Sequence, residues 1–233
     1  VVVTDHGDSL ETLITSANPH DGSSAHGNSA IKVASRQLAR DVIDSEQAVA
    51  DLVSVTIEQP KVAAIPSRGE VVVQLLTEGA IRERLVNLID ESKSGDSLDL
   101  AMFYLSERRV VESLKRASFK DVNIRLILDP NKDAFGHTKI GIPNRSVAHE
   151  LVGRGRDIKV RWCDTHGEQC HTKLVILTQG DRVTLLNGSA NLTRRNIGDF
   201  NLETNVLVQS RSDVEAITEA RGYFEELWTN DAG

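Results

Sequence analysis

The chain has 233 residues and a net charge of −7, with 39% hydrophobic and 26% charged residues. This balance is typical of a globular protein and excludes disordered, collagenous and disulfide-scaffold classes. No apolar run approaches the roughly 18 residues of a membrane-spanning helix. The negative charge argues against a large nucleic-acid surface, because binding a polyanion requires clustered Lys and Arg. The negative net charge is compatible with a small phosphate-binding pocket.

The first 57 residues predict a short series of strands followed by a helix. The predicted elements are strands at 1–5 and 11–16, a polar loop at 18–27, a strand at 29–34 and a helix at 35–52. Residues 58–69 carry two of the five prolines and predict a linker.

Residues 70–233 alternate between strand and helix patterns and then become rich in strands. The predicted strands are 71–76, 97–104, 122–128, 158–163, 174–177, 183–187 and 203–209, and the predicted helices are 80–92, 107–117, 144–153 and 212–228. A parallel-rich part followed by hairpins predicts an α/β fold, with a mixed sheet flanked by helices on both faces.

The end of the chain repeats its beginning. Thr15-Ser16-Ala17-Asn18 matches Gly188-Ser189-Ala190-Asn191 at an offset of 173 residues, and a strand and a helix follow each copy. With two extra residues in the later loop, Asn28 falls on Glu203. We interpret this order as an internal duplication whose first copy is incomplete at its front.

The later copy also holds His171-Thr172-Lys173 directly before an apolar strand. Residues i and i+2 of a strand point to the same face, so His171 and Lys173 project side by side. Ser189 and Asn191 project in the same way from the next strand. An imidazole, an ammonium, an amide and a hydroxyl together suit an anionic phosphorus centre.

His-x-Lys, an apolar strand, Gly-Ser-x-Asn and Asn201-Leu202-Glu203 together resemble the second half-site of the phospholipase D superfamily. The resemblance implies residues 70–233 as one complete repeat and 1–57 as the end of another. It implies attack by a histidine on a phosphodiester, a phosphohistidine intermediate, transfer to water or an alcohol, and no metal or organic cofactor.

The resemblance also implies the roles of the site residues. It makes His171 the general acid or base, and Glu203 a carboxylate that orients a histidine ring and stabilises its cation. The phosphate oxygens would be held by Lys173, Asn191 and Asn18, with support from Ser189 and Ser16. Asn28, the counterpart of Glu203, is neutral, so the two histidines of such a site would differ in basicity.

Two stretches, residues 15–21 and 128–133, resemble bacterial cardiolipin synthase-like phosphatidyltransferases in particular. This branch implies a glycerophospholipid substrate and a bacterial protein that is membrane-associated or cytoplasmic. The alternatives are a nuclease of the same superfamily, which the acidic balance disfavours, and a non-catalytic binding module that keeps the fold.

The motif departs from the superfamily pattern at Thr178, where an Asp is expected, whereas the first copy has Asp5 at that place. By the same spacing, a Lys would immediately precede Val1 and a His would lie two residues before that Lys. We therefore expect either a preceding segment or a neighbouring copy of the chain to pack against this first sheet, and we expect the 233 residues alone to be inactive as a phosphodiesterase.

Three further features leave alternatives open. Cys163, His166, Cys170 and His171 resemble a zinc cluster, but their spacing fits no common ligand pattern, and Cys163 with Cys170 could instead form a local disulfide. His20, Asp21 and His26 either line a substrate entrance or form a solvated turn. The loop at 129–143 is a candidate cap over the site by analogy with other α/β proteins.

Overall fold

The computed structural model describes residues 1–51, 70–130, 143–153 and 155–229. The predicted linker at 58–69 and most of the predicted capping loop at 129–143 lie outside the described residues. None of the helices in the described ranges is both long and apolar enough to cross a membrane.

The first copy of the repeat forms a three-stranded antiparallel sheet and one helix. The elements are β1 (Val2–Asp5), β2 (Leu10–Thr15), β3 (Ala30–Ala34) and α1 (Arg36–Ala50), with a 3-10 turn at Asp21–Ala25 between β2 and β3. Helix α1 begins after Ser35, whose side chain accepts a hydrogen bond from the Leu38 amide as a normal N-cap does. The apolar side of α1 is buried through Leu38, Ala39 and Val42.

The rest of the chain forms a seven-stranded mixed sheet. Its strands are β4 (Val72–Thr77), β5 (Ser97–Met102), β6 (Asn123–Leu128), β7 (Ile158–Trp162), β8 (Lys173–Gln179), β9 (Arg182–Gly188) and β10 (Thr204–Arg211), in the order β4-β10-β9-β8-β5-β6-β7. The helices are α2 (Glu78–Glu91), α3 (Arg108–Ser118), α4 (Pro143–Leu151), α5 (Arg194–Ile197) and α6 (Glu215–Thr229). Strands β5, β6 and β7 are parallel, and the other neighbours are antiparallel.

Successive side chains of a strand point to opposite faces of the sheet. Apolar residues occur on both faces of the large sheet, and both faces are covered. In β8, Val175 and Leu177 belong to the core cluster that includes residues of α2, α3 and α4. Leu174 and Ile176 belong to the opposite cluster, which includes Phe224 of α6 and Ile14 of the small sheet. The predicted α/β fold with helices on both faces is therefore confirmed.

The predicted element boundaries differ from the observed ones by at most three residues. The sequence patterns missed the four-residue helix α5 and the 3-10 turn, because segments this short carry no periodicity. The two copies have the same strand order, β3-β2-β1 in the small sheet and β10-β9-β8 in the large one.

Candidate active site

The candidate site lies where β8 begins beside the end of β5. Lys173 is the first residue of β8 and pairs with Met102, and the Phe103 amide donates to the Thr172 carbonyl at 3.0 Å. The Phe103 ring is 4.9 Å from the His171 ring, and the Lys173 ammonium is 5.4 Å from the Phe103 centroid. Phe103 thus forms an apolar wall behind both side chains.

His171 and Lys173 are buried next to each other, with 6% and 2% of their surface exposed. Lys173 Nζ donates to the His171 carbonyl oxygen at 2.9 Å and lies 3.2 Å from His171 Nε2. Burial lowers the pKa of Lys173 to about 7, and the Glu203 carboxylate offsets this only in part. Burial, the Lys173 charge and His26 lower the pKa of His171 to about 3. The resting site therefore favours a neutral imidazole.

Asn28 of the first copy contacts His171 across the two sheets. Asn28 Oδ1 lies 3.1 Å from His171 Nδ1 and accepts a hydrogen bond from Ser16 Oγ at 3.3 Å. The Ser29 amide donates to Ser16 Oγ at 2.9 Å, and a hydrogen bond to the Ser16 carbonyl acts to raise the pKa of His171. Ser16 thus reaches the site through Asn28 and through its own carbonyl.

Glu203 has the corresponding position in the second copy. Its Oε2 accepts from Ser189 Oγ at 2.5 Å, and its Oε1 accepts from Asn196 Nδ2. The Thr204 amide donates to Ser189 Oγ at 3.0 Å, as the Ser29 amide does to Ser16. Among the described residues, Glu203 makes no hydrogen bond to His171.

The glycine of Gly-Ser-x-Asn permits the close approach of β10 to this motif. A Cβ at Gly188 would overlap the Thr204 carbonyl oxygen. That approach is needed because the Ser189 amide donates to the same carbonyl at 3.0 Å. The glycine is therefore required for the geometry that joins Ser189 to the strand carrying Asn205.

The two asparagines of the repeated motif have different surroundings. Asn191 Oδ1 is buried and has no hydrogen-bond partner among the described residues. Asn18 is exposed, and its backbone amide donates to Ser23 Oγ at 2.9 Å. In the part of the chain that the structure describes, no hydrogen bond joins the Asn18 side chain to His171 or Lys173.

Thr172, between the two site residues, is anchored on the opposite face of the strand. Its Oγ1 lies 2.7 Å from the Tyr223 hydroxyl of α6 and donates to the Gly27 carbonyl at 3.2 Å. Thr178, at the position where the superfamily pattern has Asp, accepts from Arg221 of α6 at 2.8 Å. Both threonines therefore fix β8 against α6.

The segment before His171 ties the first copy to the second. The Gln169 amide donates to His26 Nδ1 at 3.1 Å, and the Gly27 amide donates to the Gln169 carbonyl at 2.9 Å. The His26 ring centre is 6.3 Å from that of His171, whereas His20 is exposed. Of the three polar residues of that loop, His26 is thus the one that packs toward the site.

Cys163 and Cys170 form a disulfide. This settles the alternative between a disulfide and a zinc cluster, since a sulfur in a disulfide is not a thiolate ligand. No group of three or more metal-ligating side chains occurs in the described ranges. The Cys170 amide donates to the buried Asp129 carboxylate at 3.0 Å, so the bridge is also held to the end of β6.

Sequence reasoning did not identify Phe103, His26 and Asn28 as neighbours of His171. Phe103 had one usable signal, because it directly follows a buried strand at its carboxyl end. The contact of Asn28 depends on how the two copies face each other, which no local pattern encodes.

Comparison with known proteins gives a family match. The family described as "Cardiolipin synthase, PLD-like domain" matches residues 85–228. Among curated proteins, no sequence relative matches the chain.

The fold is similar to several solved structures. The phospholipase D family member Nuc from Salmonella typhimurium is similar with a TM-score of 0.54 and 18% identity, over 68% of this chain and 95% of that one. The phosphatidylserine synthase of Haemophilus influenzae Rd KW20 has a TM-score of 0.62 and 12% identity, over 93% of this chain and 60% of that one. The polyphosphate kinase of Porphyromonas gingivalis has a TM-score of 0.59 and 19% identity, over 96% of this chain and 31% of that one. At these identities the likeness concerns the fold.

Proposed function

Because the chain belongs to the family of cardiolipin synthase, phospholipase D-like domains, we propose that it takes part in hydrolysis of, or phosphatidyl transfer from, a glycerophospholipid through a phosphohistidine intermediate. Membership of this family supports chemistry at phosphodiesters. That the phosphodiester is a lipid is the more specific part of the proposal. The observation that carries it is the buried pair of His171 and Lys173, which receives a contact from each copy of the repeat.

The surroundings of Lys173 favour an anionic ligand. A buried ammonium is costly unless an anion compensates it, and the Glu203 carboxylate offsets the effect of burial only in part. A phosphodiester carries one negative charge on its non-bridging oxygens. Its arrival would raise the pKa of Lys173 and restore the ammonium that holds it. The side-chain NH2 of Asn191 would be a second hydrogen-bond donor to that phosphate.

The proposed reaction has two steps. The lone pair of an imidazole nitrogen attacks phosphorus, the bond from phosphorus to the leaving alcohol breaks, and an imidazolium on the other side gives that alcohol its proton. Water or a second alcohol then attacks phosphorus, its proton returns to the neutral imidazole, and the phosphorus–nitrogen bond breaks. His171 is one of these imidazoles, and Lys173 holds the charge that develops on the phosphoryl oxygens.

A lipid substrate accords with the charge of the surface better than a nucleic acid does. The net charge is −7. Three arginines of α3 form ion pairs with carboxylates of the neighbouring helices: Arg108 with Glu150, Arg109 with Glu83 and Arg116 with Asp90. Nucleic-acid binding depends on cations that are free to neutralise phosphates.

The test uses the 233-residue chain and an extended chain, in which a second His-Thr-Lys is added directly before Val1. Both are mixed with vesicles of labelled phosphatidylglycerol, and phosphatidic acid, glycerol and diphosphatidyl products are measured. We expect turnover in the extended chain, lost in His171→Ala and kept in His149→Ala, a substitution of an exposed helix residue. Turnover unchanged by His171→Ala would overturn the proposal, and cleavage of single-stranded DNA in place of lipid would favour the nuclease alternative.

A further inference from the structure

The loop between α5 and β10 exposes apolar side chains beside the candidate site. Leu202 is 70% exposed, the largest fraction for a large apolar side chain in the described ranges, and Phe200 is 65% exposed. Single exposed apolar residues are common on protein surfaces, whereas adjoining ones form a patch that marks a contact with a partner. Leu202 directly precedes Glu203 and lines a cavity of about 610 Å³ together with Ser189. The exposed apolar surface therefore adjoins the site.

This loop is anchored at both ends, although its apolar side chains are exposed. Asp199 Oδ1 accepts a hydrogen bond from the Gly79 amide at 2.8 Å. On the other side, the Glu203 amide donates to Glu78 Oε1 at 3.1 Å, and the Glu78 amide donates to the Glu203 carbonyl at 3.3 Å. The two exposed side chains therefore stand on a backbone that is hydrogen-bonded to the start of α2.

Two exposed arginines of α5 lie next to these apolar residues, and neither forms an ion pair within the described ranges. The Arg194 guanidinium carbon is 5.6 Å from the centre of the Phe200 ring. Arg195 Nε donates to the neutral side chain of Asn201 at 3.2 Å. The two carboxylates that anchor the loop to α2 accept hydrogen bonds from backbone amides instead of from these arginines. Positive charge and apolar surface thus occur together here.

We propose that Phe200, Leu202, Arg194 and Arg195 form a lipid-contact patch, the surface by which this protein binds an anionic bilayer. The two apolar side chains enter the boundary between head groups and acyl chains, and the guanidinium groups pair with lipid phosphates. The inference rests on the proposed function for its consequence, which is that the lipid reaches the site from the side of Glu203.

A bilayer suits this surface better than a nucleic acid does. Arginines beside an aromatic ring would also suit phosphates and stacked bases, but Leu202, the most exposed member of the patch, has no ring that can stack on a base. The net charge of −7 opposes contact with a polyanion over a large surface. A loop that enters a bilayer brings only its own two cations close to the phosphates.

Phe119, at the end of α3, provides an internal comparison. It is 65% exposed, as Phe200 is, but the cations near it in the chain have partners. Arg116 forms an ion pair with Asp90, and Lys120 donates to the Asp90 carbonyl. A lone aromatic ring whose neighbouring cations are occupied lacks the combination that an anionic bilayer requires.

The experiment measures binding to vesicles and requires no turnover. The 233-residue chain is sedimented with vesicles of phosphatidylglycerol and phosphatidylcholine in equal parts, and with vesicles of phosphatidylcholine alone. We expect binding to the mixed vesicles to fall about tenfold in Phe200→Ser and about tenfold in Leu202→Ser, because partition follows the apolar area that is buried. Arg194→Gln and Arg195→Gln should each weaken it about fivefold, and only on the anionic vesicles.

Phe119→Ser is the matched control, since it removes an equally exposed ring and should leave binding unchanged. A direct measurement of insertion compares Phe200→Trp with Phe119→Trp, and we expect brominated acyl chains to quench only the tryptophan at position 200. Equal losses in Phe119→Ser and Phe200→Ser, or no quenching at position 200, would overturn the proposal.

Affinity for single-stranded DNA but not for vesicles, lost in Arg194→Gln and Phe200→Ser, would also overturn it. The result separates from that of the proposed function. Vesicle binding that depends on Phe200 supports the lipid-contact patch even where the extended chain turns over no lipid, and lipid turnover with binding that is independent of Phe200 would overturn the patch alone.

Discussion

Asn187 of β9 donates its side-chain Nδ2 to the carbonyl oxygen of Ile14 in β2 at 3.5 Å, and these two residues are 173 positions apart, which is the offset of the repeat. Equivalent positions of two copies meet only where an axis that relates the copies passes between them. Asn187 Oδ1 also accepts from Ser29 Oγ at 2.5 Å. One side chain therefore joins β9 to β2 and to the residue directly before β3.

Asn187→Ala should loosen the two copies from each other. It removes two hydrogen bonds at a buried position, and each contributes about 1 kcal/mol, so we expect unfolding by urea to report a loss of about 2 kcal/mol. Thr184→Val is the matched control, because it removes a hydrogen bond to Gln209 within the second copy alone. Affinity for inorganic phosphate should fall in Asn187→Ala and stay unchanged in Thr184→Val. Equal phosphate affinity in both variants would contradict a site shared by the copies.

The stability of the protein should decrease as the pH falls from about 6.5 towards 3. The pKa of His171 is about 3 in the folded chain and ordinary in the unfolded one, so the unfolded state binds more protons in this window. The slope contributed by one group is at most about 1.4 kcal/mol per pH unit. Urea unfolding of the wild type and of His171→Gln at several pH values measures it. A slope that is the same in both would show that His171 does not titrate in this way.

Binding of an anion should take up protons near neutral pH. The pKa of Lys173 is about 7 in the empty site, so roughly half of the molecules hold a neutral amine at pH 7. A bound phosphate favours the ammonium, and we expect uptake of about half a proton per site beyond the proton balance of phosphate itself. Calorimetry in buffers of different ionisation enthalpy measures this uptake. Lys173→Met should abolish it, and an uptake that persists in that variant would assign it to another group.

The sequence predicted the elements that carry strong patterns and the residues that carry the motif. The spacing of two residues put His171 and Lys173 side by side on one face. The contacts of His171 with Asn28 and His26 could not be predicted from sequence patterns, because they depend on how one sheet packs on the other. The disulfide was left as one of two alternatives for the same reason, since the spacing of Cys163 and Cys170 does not specify whether their sulfurs meet.

Loss of the disulfide should weaken the connection between the copies as well as the fold. Cys163 and Cys170 are seven residues apart, and closing a loop of that size in the unfolded chain corresponds to about 2–3 kcal/mol of stability. The closed segment includes Gln169, which contacts His26 and Gly27 of the first copy. We expect the double variant Cys163→Ser, Cys170→Ser to unfold at lower urea concentration and to exchange the Gly27 amide proton faster. Wild-type protein kept in reductant is the matched comparison, and equal stability of the oxidised and reduced chains would contradict this.

The last prediction concerns Glu203. His171 lies opposite Asn28, so the offset of the repeat puts the added histidine of the extended chain opposite Glu203, the counterpart of Asn28. A carboxylate beside that imidazole favours its cation, which is the form that protonates a leaving alcohol.

We expect the extended chain to turn over a phosphodiester such as bis(p-nitrophenyl) phosphate about 10²–10⁴ times faster than the 233-residue chain, because general acid catalysis contributes factors of this size. Glu203→Gln should remove about tenfold or more of that gain and move the alkaline limb of the pH profile to lower pH, since the unsupported imidazolium loses its proton earlier. The same substitution in the 233-residue chain should change little, and Glu215→Gln, at an exposed position of α6, should change neither chain. An extended chain that is no faster than the 233-residue chain, or a pH limb that Glu203→Gln leaves in place, would show that Glu203 does not support a second imidazole.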